Sequence, residues 1–225
     1  MIKDIDMGSS DRAMDRELKL RVNRMSNSIC MAYLIEMLAS KVDAGPVRKL
    51  LVELHQSAPD SALQDADNVY ICHVQFDFDL FQRSTYEARC DMLLSTLHAG
   101  MLRLCEALHL DQRLFEQAHE AVRACHFVYR YRKGKPVLNK QADLSAELGI
   151  LSTPASEWVV AYVSRISSAE DRGTVKFVEQ VQPDLHFQAR YLGKLKWLSA
   201  DVLQLTPKDG SLPPIEASLS GAATP

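Results

Sequence analysis

The stretch "VYICHVQFDFDLF", residues 69–81, decides how the middle of the chain is interpreted. Polar side chains occupy every second position, at His73, Gln75, Asp77 and Asp79, and apolar side chains fill most of the positions between them. Because successive side chains of a strand point to opposite faces, this alternation predicts a strand with one polar and one apolar face. We interpret the polar face as the solvated side of a sheet. The alternative is a divalent-metal site formed by His73, Asp77 and Asp79.

Length, composition and charge predict a packed protein of a reducing compartment. The chain has 225 residues, 47% of them apolar, and 26 basic against 29 acidic side chains give a formal charge of −3. This charge suits neither a typical nucleic-acid binder nor a disordered chain. The five cysteines form no C-x-x-C pair and lie in apolar patterns, as reduced thiols do. With no apolar run of about 20 residues and no secretory-type N-terminal segment, a cytoplasmic protein without a membrane partner is expected.

The first part of the chain is expected to be helical. From Asp11 to about Ser40, apolar side chains recur at three- and four-residue spacings, which predicts a long amphipathic helix. The stretch "VRKLLVELHQ", residues 47–56, then predicts a short second helix, and "SAPDSALQDADN", residues 57–68, predicts a loop.

A helical hairpin is expected after residue 81. Ser84 and Glu87 have the spacing of a capping box, in which each side chain satisfies a free backbone N–H of the first helical turn. Asp111 can cap a second helix that ends near Cys125. The leucines predicted to form the core of this hairpin are Leu97, Leu104 and Leu108.

Residues 142–166, "ADLSAELGILSTPASEWVVAYVSRI", have two interpretations. As a helix-turn-helix they would make the protein a DNA-binding regulator. As two strands, residues 142–150 and 157–166 would pair antiparallel around a turn that contains Pro154. We favour the strands because the second half is rich in β-branched residues and Arg165 is its only basic side chain, a weak match to a phosphate-lined groove.

The helical stretches precede most of the strands. This order predicts an α+β fold in which a helical N-terminal half packs on a mostly antiparallel sheet formed largely by the C-terminal half. A single domain is expected over residues 1–205, with a helical N-terminal extension over 1–68, and "LHFQARYLGKLKWL", residues 185–198, is expected to be a strand or a short helix. Residues 206–225, rich in Pro, Gly, Ser and Ala, are expected to form a flexible tail.

The sequence assigns no catalytic residue, no metal ligand and no cofactor. It contains neither a G-x-S-x-G elbow nor an H-E-x-x-H pair nor a glycine-rich phosphate loop. Acidic side chains would lie on polar strand faces and, if their strands were neighbours, would form an acidic surface that complements a basic protein. The candidate partner-binding residues are His73, Gln75, Asp77, Asp79, Asp143 and Glu147.

A local excess of positive charge follows the hairpin. Its basic residues are Arg130, Arg132, Lys133, Lys135 and Lys140, with Tyr129 and Tyr131 between them. Tyrosines among basic side chains can stack on bases, so nucleic acid is an alternative partner. Basic side chains also protect exposed strand edges from aggregation, and this structural interpretation is favoured.

A resemblance covers about half of the chain. The stretches "YEARCDMLLSTLHAGMLRLCEAL", "HFVYRYRKGKP" and "YLGKLKWLSAD" resemble small α+β immunity proteins of bacterial polymorphic toxin systems. The resemblance implies a cytoplasmic, non-enzymatic antidote that binds a toxin domain and neutralises it. It transfers no catalytic residues, because such proteins usually have none.

Overall fold

A computed structural model of the chain describes residues 2, 4–9, 14–39, 47–57, 63–66, 68–181 and 190–219. The fold is α+β, as the sequence predicts. The chain divides into two compact units, residues 1–129 and 130–225, where the sequence suggested a single domain over residues 1–205.

The first unit combines a four-stranded sheet with helices. The strands are arranged in the order β1-β2-β4-β3, in which β1, β2 and β4 are parallel and β3 is antiparallel to β4. The sequence analysis placed the antiparallel sheet largely in the C-terminal half, where it is found, and did not predict this parallel sheet. Its elements are β1 (Asp4–Gly8), α1 (Arg16–Ala39), β2 (Lys49–His55), β3 (Leu63–Ala66), β4 (Val69–Gln75), α2 (Phe78–Arg83), α3 (Tyr86–Ala107) and α4 (Gln112–Ala124).

Strand β2 replaces the short helix predicted over residues 47–56. Its burial alternates with period two: Leu50, Val52 and Leu54 are fully buried, while the residues between them are half-buried. Helix α1 packs on β1, and α3 packs on β2 and β4, so the buried side chains of the sheet lie under the helices. The half-buried side chains of β2 point to the opposite face.

The predicted strand over residues 69–81 is shorter in the structure. Strand β4 ends at Gln75, and Asp77 is the N-cap of α2, where its carboxylate accepts a hydrogen bond of 2.8 Å from the backbone N–H of Leu80. The loop expected over residues 57–68 is also partly wrong, since residues 63–66 form β3.

The long helices follow the sequence patterns closely. Helix α1 occupies most of the predicted range 11–40, and α3 with α4 forms the predicted hairpin. The N-cap of α3 is Thr85, one residue later than the predicted Ser84, and Asp111 caps α4 as expected. Leu97 and Leu104 are fully buried, as predicted, whereas Leu108 is only half-buried at the C-cap of α3.

The second unit is built from antiparallel strands. One sheet has the order β5-β7-β8-β9, with β6 also paired to β7, and the other has the order β10-β11-β12. The strands are β5 (Tyr129–Arg132), β6 (Val137–Asn139), β7 (Leu144–Ser152), β8 (Ser156–Arg165), β9 (Asp171–Val181), β10 (Lys194–Trp197), β11 (Val202–Thr206) and β12 (Ile215–Ser218).

Strands β7 and β8 confirm the favoured interpretation of residues 142–166. They pair antiparallel from Leu144 opposite Arg165 to Ser152 opposite Glu157, with Pro154 in the turn between them. A helix-turn-helix is therefore not formed at this place, and the DNA-binding alternative loses the motif on which it depended.

The second unit has its own apolar core, to which both of its sheets contribute. The buried members of this core are Ala146, Ala161, Val163, Val175 and Leu203. Trp197 of β10 packs against them, and its indole N–H donates to the Val137 carbonyl at 3.1 Å. Residues 215–218 pair with β11, so this part of the predicted tail is a strand instead. Of the strand or short helix predicted over residues 185–198, residues 194–197 form β10 and residues 185–189 lie outside the described residues, as do residues 220–225.

Candidate functional site

Three side chains with metal-ligating atoms meet where β2 and β4 lie side by side. Glu53 and His55 are two residues apart on β2 and so share a face, and the parallel register places Glu53 opposite His73 of β4. His55 Nε2 lies 2.9 Å from His73 Nδ1, and His73 Nδ1 lies 3.4 Å from Glu53 Oε2. The ligand atoms of all three side chains lie within 4.8 Å of one another.

The cluster is partly shielded from solvent and lies on rigid backbone. The side chains of His73 and Glu53 are 15% and 18% exposed. The Phe76 N–H donates to the His55 carbonyl at 2.8 Å, which holds the ends of β2 and β4 together. The cluster lies in the carboxyl-terminal half of both parallel strands, and α/β sheets commonly bind ligands near this edge. Two imidazoles and a carboxylate at this place can bind a divalent cation.

The predicted residues of the opening stretch do not form one face. His73 joins the β2 cluster, and Gln75 is exposed at the end of β4. Asp77 caps α2 and Asp79 is exposed in its first turn. Among the described residues, the only converging group of three ligand-bearing side chains is the one with Glu53 and His55, so the alternative site of His73 with Asp77 and Asp79 does not form.

The remaining two predicted residues belong to a different sheet. Asp143 has φ of +56°, and its carboxylate accepts hydrogen bonds from the backbone N–H and the hydroxyl of Ser167. Glu147 of β7 accepts from Arg132 at 3.1 Å. Because β4 and β7 belong to separate sheets, the condition of neighbouring strands for a single acidic surface is not met.

Part of the basic segment has structural contacts. The guanidinium of Arg132 pairs with Glu147 and lies over the Tyr162 ring, 4.8 Å from its centroid. The Lys133 ammonium donates to the Leu192 carbonyl at 2.8 Å. These contacts agree with the favoured structural interpretation of the basic side chains.

The structure adds a surface that the sequence analysis did not identify, which we call the 77–87 surface. Leu80 and Tyr86 are 48% and 40% exposed, and the exposed carboxylates of Asp77, Asp79 and Glu87 lie in the same short segment. The alternation of residues 76–79 resembled the end of a strand, and this concealed the turn into α2. The sequence did contain one sign of this helix, because aspartate, as at position 77, is a preferred N-cap residue.

A second histidine cluster lies among the helices. The Tyr33 hydroxyl donates to the Phe115 carbonyl at 2.9 Å and lies 2.9 Å from His98 Nδ1, so this ring nitrogen carries the proton and donates to Tyr33. The rings of His98 and His119 stack with centroids 4.2 Å apart. Burial lowers the pKa of His98 and His119 lowers it further, against the opposing effect of Glu116 and Glu120.

Comparison of the chain with protein-family models, with curated proteins and with solved structures finds no match. Among the described helices, none combines the length and the apolar character that crossing a bilayer requires. The functional interpretation therefore depends on the geometry of the surfaces and clusters above.

Proposed function

We propose that the protein is a non-enzymatic protein-binding module, specifically an immunity protein that binds a cognate bacterial toxin and neutralises it. The observation that carries this proposal is the 77–87 surface, which places two exposed apolar side chains among three carboxylates. Protein interfaces are typically built in this way, with aromatic or aliphatic anchors surrounded by a polar rim.

The anchors of the 77–87 surface suit a protein partner. Tyr86 offers a large ring with few rotatable bonds, and side chains of this kind contribute strongly to binding when a partner covers them. Leu80 precedes it on α2 and leaves about half of its surface exposed. A partner that covers both side chains removes apolar area from water, which favours association.

The backbone beneath the anchors is well ordered by hydrogen bonds. Asp77 and Thr85 cap α2 and α3, and the guanidinium of Arg89 donates to the carbonyls of Phe81 and Gln82 at 2.8 and 2.6 Å. A surface that is held in place before binding avoids part of the entropic cost of association.

The charge of the 77–87 surface selects for a basic partner. Residues 1–129 contain 19 acidic and 14 basic side chains, and the 77–87 surface carries three carboxylates against one exposed guanidinium, that of Arg83. Complementary charge increases association rates in a salt-dependent way more than it increases stability. We therefore propose a toxin domain with a basic contact surface as the partner.

The test is the double variant Asp77→Asn/Asp79→Asn, examined with a candidate toxin domain encoded by a neighbouring gene. Asparagine is as good an N-cap as aspartate, so α2 should remain intact and the melting temperature should change little. Association measured by stopped flow should slow by roughly tenfold at low salt, and the difference should shrink as salt is raised.

A matched control removes two carboxylates elsewhere in the same unit. Glu17 and Glu106 are exposed on α1 and α3, and Glu17→Gln/Glu106→Gln changes the net charge by the same amount. Slowing that is as large in this control as in the Asp77→Asn/Asp79→Asn variant would assign the effect to net charge. Unchanged association of Leu80→Ala and Tyr86→Ala would show that the partner binds elsewhere.

A further inference from the structure

We propose that Glu53, His55 and His73 form a binding site for a divalent metal ion, most suitably zinc, with at least one coordination position left open. The site lies outside the proposed protein-binding surface, and its existence does not depend on the proposed function. Three features support the site: the separation of the ligand atoms, the protons available to them, and their position on the sheet.

The separations fit a single ion. Zinc binds imidazole nitrogen at about 2.0–2.1 Å and carboxylate oxygen at about 2.0–2.2 Å, so two ligands of a tetrahedral site lie roughly 3.3–3.5 Å apart. The observed distances are 3.4 Å between Glu53 Oε2 and His73 Nδ1 and 2.9 Å between His73 Nδ1 and His55 Nε2. All three ligand atoms lie within 4.8 Å of one another, so small side-chain rotations are enough to bring them onto one ion.

His73 Nδ1 has two close neighbours but can donate only one hydrogen bond. His73 Nδ1 lies close to both a carboxylate oxygen of Glu53 and a ring nitrogen of His55. If Nδ1 carries a proton, that proton cannot point at both neighbours. If Nδ1 carries a lone pair, it faces the lone pairs of the Glu53 carboxylate. A cation placed between the three atoms would be coordinated by a lone pair of each of them.

The position on the sheet suits a bound ion. Glu53 and His55 belong to β2 and His73 to the adjacent parallel strand β4, so their Cα positions are fixed by strand pairing. The side chains of Glu53 and His73 are more than four-fifths buried, which limits competition from water. Two imidazoles and one carboxylate are a ligand set that zinc accepts, and three protein ligands leave a fourth position for water or another ligand.

The experiment compares two matched double variants of the full chain, prepared without a histidine tag and kept reduced. His55→Asn/His73→Asn removes two proposed ligands. His109→Asn/His126→Asn makes the same two changes at exposed residues with positive φ, where asparagine is well tolerated. Zinc is titrated into each metal-free protein by calorimetry.

We expect one zinc ion per chain for the unchanged protein and for the control variant. Changes to the residues that support a metal's ligands weaken binding by about 10–100-fold. His55→Asn/His73→Asn removes two ligands themselves, so it should weaken zinc binding by at least about 100-fold. Zinc at 100 times its dissociation constant should raise the melting temperature of the unchanged protein by at least about 5 °C, and this rise should disappear in the ligand variant.

Two further measurements cover the case in which the ligand variant does not fold. Glu53→Gln keeps the hydrogen-bonding capacity of the side chain but removes its charge, so it should fold and bind zinc more weakly. Cobalt bound in place of zinc should give the intense visible absorption of a tetrahedral site, which Glu53→Gln should change.

The absence of zinc binding by the unchanged protein would overturn the proposal. Equal zinc binding by the unchanged protein, Glu53→Gln and His55→Asn/His73→Asn would do so as well. The Asp77→Asn/Asp79→Asn variant should bind zinc normally, so failure of the metal site and failure of the proposed toxin binding remain distinguishable.

Discussion

The two units shield their apolar side chains from water in different ways. In the first unit, helices cover one face of a mainly parallel sheet, and the other face carries half-buried polar side chains such as Glu53 and His73. In the second unit, two antiparallel sheets contribute to one core that contains Val163 and Leu203. Because helices cover only one face of the first sheet, its strands can carry polar side chains on the other face while the helices hold the strands in place. The candidate metal-ligating residues therefore lie in the first unit.

The distribution of histidines sharpens this difference. Six of the seven histidines lie in residues 1–129, and the seventh, His186, lies outside the described residues. Histidine is the side chain whose ordinary charge change falls between pH 5 and 8, and it is the commonest metal ligand. Weak acid and divalent metals should therefore act on the first unit, whereas the described part of the second unit depends on packing.

The largest effects should come from the two cores. Leu97 of α3 and Leu203 of β11 are both fully buried, one in each unit. Either leucine replaced by alanine leaves a cavity and should lower the free energy of unfolding by about 2–5 kcal/mol. Denaturant melts measure the loss of unfolding free energy, and hydrogen exchange shows in which unit it occurs.

Exposed leucines provide the controls for the core variants. Leu80 and Leu138 are 48% and 53% exposed, and their replacement by alanine should change stability by less than about 0.5 kcal/mol. A loss near zero for Leu97→Ala would mean that α3 does not present this face to the core.

A smaller loss of stability should follow from adding a methyl group at a glycine, and its size should differ between a glycine of a strand packed against another strand and one of a helix packed on a sheet. A Cβ at Gly149 of β7 would lie 2.1 Å from the backbone oxygen of Tyr131, whereas one at Gly100 of α3 would meet only the Val52 side chain, at 2.7 Å. The backbone oxygen of Tyr131 cannot move aside as a flexible side chain can. Gly149→Ala should therefore lower the free energy of unfolding by about 1–3 kcal/mol, as measured by thermal melts. Gly100→Ala should cost less, because alanine favours the helix.

Gly210 supplies the control for these glycine variants, since nothing lies within 4 Å of a Cβ built there. Gly210→Ala should leave stability unchanged or slightly raised, because it restricts the unfolded chain. Equal losses in all three variants would contradict the close approach of β5 to β7.

The sequence predicts the second unit better than the first. Residues 144–150 alternate strictly, and Pro154 marks the turn, so β7 and β8 are recognisable without the structure. Residues 47–56 are ambiguous because Val47, Leu50, Leu51 and Leu54 fit a helical spacing as well as a strand that buries every second residue. A segment this short cannot distinguish the two periods by itself.

Because of this ambiguity, the sequence alone does not bring Glu53, His55 and His73 together. On a helix, Glu53 and His55 would point in different directions, and only pairing of β2 with β4 places them beside His73. Likewise, the alternation through Asp77 continues across the end of β4 into a helix cap. In both cases the deciding information is the pairing of distant segments, which local periodicity does not contain.

The smallest effect should come from His98, and it tests whether acid acts on the first unit. Burial, helped by His119, lowers the pKa of His98 against Glu116 and Glu120, so below about pH 6.5 the folded chain binds fewer protons here than the unfolded chain. His98 therefore stabilises the fold least at low pH, and the free energy of unfolding should rise with pH until His98 is neutral in both the folded and the unfolded chain.

The variant His98→Asn tests this, because it keeps a donor for Tyr33 and removes the titrating group. Its melts between pH 5.5 and 7.5, in EDTA to exclude metals, should show a shallower pH dependence than the unchanged protein, with His109→Asn as the control. Identical slopes for the unchanged protein and His98→Asn would mean that the histidine stack does not make the first unit acid-sensitive.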